Sequence, residues 1–141
     1  MTTVDFHIWP EGARRQHDVR ICEVVERIWQ AGREVYIHCP DEEMAAALDE
    51  LLWTFHDTSF IPHARAGSED SATVRVVLGT ASEPPSAMDT LVNLHPEVPV
   101  FFSQFEQVIE TTGHDAETRQ LARERYRFYK DRGYPLNTHQ G

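Results

Sequence analysis

The chain has only two cysteines, and they form no CxxC pair. Cys22 and Cys39 therefore offer neither a disulfide framework nor a thiolate metal cluster. The opening segment MTTVDFHIWPEGARR lacks a basic stretch followed by an apolar core, which argues against an export signal. The cysteines then read as reduced thiols and the protein as cytoplasmic. No apolar run approaches the roughly 18 residues of a membrane span. Basic residues are scarce: 13 face 23 acidic ones, for a net charge of −10. That balance excludes general nucleic-acid binding over the whole surface, because such binding rests on neutralising phosphates.

Catalytic and cofactor motifs are also missing. The loop after the first expected strand, PEGARRQ, has one glycine and neither GxGxxG nor GxxxxGK[ST]. Nothing there brings the backbone close to a phosphate. The eight histidines fall in no HExxH or HxH spacing, so no metal site is expected. No carboxylate pair sits in a motif tuned for acid–base work. Cys22 lies beside Ile21 and Val25 on the apolar side of a helix and reads as a small buried hydrophobe. No catalytic residue, cofactor or metal is predicted.

What is present fits one domain, residues 1–141. Strands are expected at 3–9, 34–39, 73–79, 90–94 and 107–112. Helices are expected at 17–31, 41–55 and 115–132. Residues 56–72 read as a long connection, 80–88 as a Pro/Ser loop, and 101–106 as a helical turn. Strand–helix–strand–helix within the first 55 residues predicts an α/β fold, a single Rossmann-like domain with a mostly parallel sheet flanked by helices.

The charge is unevenly distributed. Within 119–132, six basic residues meet only Glu124 and Asp131, giving +4 and leaving −14 for the rest of the chain. On a helix, Arg119, Arg123, Tyr126 and Lys130 share one stripe. Leu121 and Phe128 fall on another face. Three cations around one aromatic ring suit an acidic peptide with a carboxylate end, since guanidinium grips carboxylate with two hydrogen bonds. Phosphate is a competing ligand, and direct nucleic-acid binding through this helix is the alternative function. A solvated, purely structural helix face is the plainer reading.

The segment 119–139, RQLARERYRFYKDRGYPLNTH, closely resembles the C-terminal segment of the chi subunit of bacterial DNA polymerase III. DELLWTFHDTSFIPHA (49–64) and NLHPEVPVFFSQFEQVIE (93–110) are similar to earlier stretches of that family. The resemblance spans nearly the whole chain. It implies a non-catalytic accessory subunit of the clamp-loader assembly in DNA replication. Its implied partners are the psi subunit and the acidic C-terminal tail of single-stranded DNA-binding protein. The charge balance argues against strong direct binding to nucleic acid, and the lack of a long apolar run against a membrane partner. That tail ends in acidic residues, proline and phenylalanine with a free carboxylate. The resemblance assigns tail binding to Arg119, Arg123, Tyr126, Arg127 and Trp53, and psi binding to Phe60; the helical stripe adds Lys130 to the tail-binding set. The segment GHD, 113–115, departs from the family pattern.

Overall fold

The computed structural model describes residues 1–57, 60–80 and 88–140. Its strands are β1 (Thr3–Ile8), β2 (Val35–His38), β3 (His63–Arg65), β4 (Val76–Gly79), β5 (Thr90–Asn93), β6 (Gln107–Thr111) and β7 (Leu136–Gln140). Its α-helices are α1 (Arg14–Gln30), α2 (Glu42–Thr54) and α3 (Ala116–Asp131). Short 3-10 turns occupy Glu69–Ala72 and Phe102–Gln104. The strands form one sheet in the order β3-β4-β2-β5-β6-β1-β7. Every pairing is parallel.

Alternation along the central strands feeds two cores. Val35, Ile37, Val76, Leu78, Val92 and Ile109 turn to one face. There they meet Ile21, Val25, Leu48 and Leu52 of α1 and α2. Val4, Phe6, Tyr36, Val77, Leu91 and Val108 turn to the other, against Phe101, Phe102, Phe105 and the α3 residues Ala122 and Tyr129. Strands buried on both faces need this near-continuous apolar composition. Cys22 and Cys39 are both free and buried, and burial pushes each thiol up to about 12.

The expected α/β architecture is present, with three corrections. First, the sheet is wholly parallel and has two strands beyond those expected. His63–Arg65, within the expected 56–72 connection, pairs with β4. Leu136–Gln140 pairs with β1. Both are short or polar and lack the alternation that marks a strand. Second, α1 begins at Arg14, not 17, and no side chain caps it. Third, the strand expected at 73–79 is confined to Val76–Gly79. Most of the Pro/Ser loop expected at 80–88 lies outside the described residues.

Both ends of α3 are locally specified. Asp115 and Thr118 form a capping box: the Asp115 carboxylate accepts from the Thr118 amide at 2.8 Å, and the Thr118 hydroxyl accepts from the Asp115 amide at 3.1 Å. Gly113, at φ +84°, packs so tightly on Thr118 that a Cβ would lie 2.3 Å from its hydroxyl oxygen. The departure at 113–115 therefore has a local structural basis. At the other end, Gly133 at φ +78° donates to the Lys130 carbonyl at 3.0 Å, and Tyr134 donates to the Tyr129 carbonyl at 3.2 Å. This Schellman closure turns the chain straight into β7.

Candidate functional site

The buried face of α3 holds the helix in place. Arg125 donates to Glu110 of β6 at 2.9 Å, and to the carbonyls of Pro96 and Thr111 at 3.0 and 3.2 Å. The other Glu110 oxygen accepts from Asn93 at 2.9 Å and Tyr129 at 2.7 Å. Complete burial raises the Glu110 carboxyl above its ordinary value, against the opposing pull of Arg125 and the Asn93 and Tyr129 hydrogen bonds. Arg125 is thus a structural cation, separate from the exposed stripe.

With that face pinned, α3 lies beside the β1–β7 edge of the sheet and presents Arg119, Arg123 and Tyr126 to one cavity. The cavity encloses about 220 Å³, with Phe6 and Ile8 of β1, Thr138 of β7, Thr112 and Ala122 completing its lining. Among the described residues, no carboxylate lines it. The Tyr126 ring packs edge-on against Phe6, with centroids 5.2 Å apart and planes at 69°. That contact is the favoured aromatic geometry and fixes the cavity wall. Arg119 donates to the Trp9 carbonyl and, at 3.4 Å, to the Thr112 hydroxyl. Its guanidinium is therefore half-anchored at the rim. Arg123 is exposed and contacts Gln120 at 3.2 Å.

Of the predicted residues, the structure brings together Arg119, Arg123 and Tyr126. Arg127 and Lys130 are exposed on the same helix but do not line the cavity. Trp53 is elsewhere. It lies on α2, which packs on the opposite face of the sheet, near the β3 edge. There its ring sits 5.2 Å from Phe60 and 4.1 Å from His63. His63 is fixed by the Asp49 carboxylate at 2.8 Å and the Ile61 carbonyl at 2.7 Å. Trp53 is 45% exposed and Phe60 65%, so the two make an exposed aromatic patch at the far edge from the cationic cavity. The sequence pattern alone does not mark Phe6, Ile8 and Thr138 as cavity residues. Phe6 and Ile8 are recognisable as one face of a strand, but β7 has no comparable sequence signal.

A second crevice, of about 320 Å³, opens at the carboxyl ends of β2, β5 and β6. Doubly wound proteins commonly bind nucleotides in such a place. Here Arg125 in its wall is already paired with Glu110, and the adjoining loop lacks a glycine-rich phosphate cradle. Among the described residues, no group of three or more His, Cys, Asp or Glu side chains is arranged to hold a metal ion.

The class is therefore a doubly wound parallel α/β domain with a cationic, carboxylate-free cavity on its last helix. Comparison with known proteins narrows this. Residues 1–137 match the family model described as DNA polymerase III chi subunit, HolC. DNA polymerase III subunit chi of Pseudomonas aeruginosa is 39% identical over 139 residues, covering 99% of this chain and 96% of that protein. The subunit of the same name from Escherichia coli K12 is 34% identical over 119 residues, covering 84% and 81%. The chain belongs to the DNA polymerase III chi subunit family. The crystal structure of T4 UvsW superposes with a TM-score of 0.66 at 10% identity, covering 99% of this chain and 42% of that one, a likeness of fold alone. Among the described residues no helix is long and apolar enough to cross a membrane.

Proposed function

We propose that this protein is a non-catalytic accessory subunit of a replicative DNA polymerase assembly and acts as a peptide-binding adaptor. Its cationic cavity takes the acidic, carboxylate-terminated tail of single-stranded DNA-binding protein. The convergence of Arg119, Arg123 and Tyr126 on one carboxylate-free cavity carries this reading. A cavity of about 150 Å³ holds benzene, so this larger one has room for a terminal aromatic ring. The two guanidinium groups at its rim suit the terminal carboxylate. Lys130 and Arg127, exposed along the same helix, meet the acidic residues upstream of that end.

The second partner is psi, at the other edge of the sheet. Phe60 and Trp53 form an exposed aromatic pair there, and such anchors dominate protein interfaces. This assignment groups Trp53 with the psi surface because of its distance from the cationic cavity. The two partners then bind opposite edges of the sheet, as an adaptor requires. The reading needs no cofactor or metal. Direct nucleic-acid binding suits the helix less well, because the rest of the chain carries −14.

Calorimetry tests the proposal. A peptide ending in Pro-Phe should bind, and the same peptide without its terminal phenylalanine should not. Equal affinity for the two peptides would defeat the reading.

A further inference from the structure

We propose that the acidic peptide is held by its main chain as well as by its end, as an added strand on the free edge of β7, running parallel to it. This rests on the peptide-binding reading above and supplies its mode and direction.

The register of β7 carries the argument. Among the described residues, β7 is the outermost strand of the sheet on this side. The Val4 amide donates to the Pro135 carbonyl at 2.9 Å, and Val4 pairs with Leu136. In a parallel ladder, alternate residues turn their backbone groups to the same neighbour. Pro135, Asn137 and His139 therefore face β1, while the N–H and C=O groups of Leu136, Thr138 and Gln140 point away from the sheet. Thr138 and Gln140 are exposed and Leu136 is half-buried. Leu136 and Thr138 also set their side chains toward α3. Leu136 joins the α3-side core, and Thr138 forms part of the cavity wall. The unpaired backbone groups and the cavity thus share one rim. Edge strands are usually guarded by lysine, a bulge or an inward charge. On β7 the only ionisable side chain is His139, which turns to the other face and pairs with Asp5 at 2.9 Å.

Charge sets the direction. The Schellman turn sends β7 back antiparallel to α3, so Arg119 and Arg123 lie toward the C-terminal end of β7. Lys130 lies seven residues further along α3 than Arg123, about 10 Å along the axis. That span equals about three residues of extended chain. A peptide with its carboxylate at Arg119 and Arg123 then runs parallel to β7 and places an acidic residue about three positions upstream beside Lys130.

The experiment uses the full chain and a short acidic peptide ending in Pro-Phe. Single N-methyl groups are placed on each amide upstream of the proline in turn. Methylation of alternate amides should cut affinity about tenfold, with the intervening ones tolerated within about twofold. In the complex, amide hydrogen exchange should slow at Leu136, Thr138 and Gln140. Equal losses at every position, or no loss at any, with those three amides unprotected, would overturn the added strand. If the parent peptide still needed its terminal carboxylate, the cavity reading would survive. Failure of the unmethylated peptide to bind would overturn both.

Discussion

Arg125 and Glu110 form a 2.9 Å ion pair in the core directly beneath the helix whose outer face carries Arg123. Glu110 is fully buried and Arg125 nearly so. Removing one member of such a pair leaves an uncompensated charge in a dry site, at a cost of about 3–5 kcal/mol. Arg125→Ala is therefore expected to lower the melting temperature sharply. The folded fraction should still bind the tail peptide, because Arg125 does not line the cationic cavity. Thermal denaturation and calorimetry on the same sample check both statements. A stable Arg125→Ala variant that has lost peptide binding would place Arg125 in the binding site instead.

Acid should destabilise the fold through His38. It is only 6% exposed, at the end of β2. Its ring stacks on His95 with centroids 5.4 Å apart. Burial, aided by the neighbouring His95, lowers its pKa to about 4. The unfolded histidine titrates near 6.5. Between these values the unfolded chain binds the proton and the folded chain does not. Stability is thus full above about pH 6.5 and is lost as pH falls toward 4, by about 2 kcal/mol after allowing for solvent screening. Denaturant midpoints across that range should show the slope, and His38→Leu should flatten it. An unchanged slope in the variant would mean that other groups set the acid limit.

The elements legible in the sequence are those with strong local signals. α3 carries a capping box at Asp115 and a glycine closure at 133, and its stripe of Arg119, Arg123 and Tyr126 follows from helical spacing alone. The sequence pattern starts α1 three residues late because Ala13 provides no capping side chain. β7 carries no such signal, because an exposed edge strand reading LNTHQ has no reason to alternate apolar and polar residues. Part of the site depends on that strand. Thr138 reaches the cavity only through a pairing between strands more than a hundred residues apart. The separation of Trp53 from the stripe was hidden for the same reason, since it depends on which face of the sheet each helix covers.

Trp53 and Phe60 should act as one surface. Their rings are 5.2 Å apart and both are exposed. Truncating an aromatic anchor at an interface costs about 2 kcal/mol or more. Trp53→Ala and Phe60→Ala are each expected to weaken psi binding by that order, and the double variant by less than the sum. Tail-peptide affinity should not change. Surface plasmon resonance with immobilised psi and calorimetry with the peptide separate the two effects. A Trp53→Ala variant that loses the peptide as strongly as psi would return Trp53 to the cationic site.

Arg123 is the sharpest test of the cavity. It is exposed at the rim and contacts Gln120 at 3.2 Å, and among the described residues no acidic residue lines the cavity beside it. Its truncation therefore leaves no buried partner unsatisfied, so the fold should be unaffected. In the complex it would face a carboxylate, and losing one member of a charge-assisted pair costs about 1.5–3 kcal/mol. Arg123→Ala should thus weaken tail binding by about tenfold or more. Arg123→Glu should weaken it further, because a like charge then faces an acidic peptide. Arg119→Ala is expected to behave differently. Its guanidinium also holds the Trp9 carbonyl, so some stability should be lost along with affinity. Wild-type binding should weaken as salt rises, through screening of the helix charges, and that dependence should be shallower in Arg123→Ala. Calorimetry at two salt concentrations reads all of these effects. Undiminished affinity in Arg123→Glu would show that the peptide binds another face of the protein.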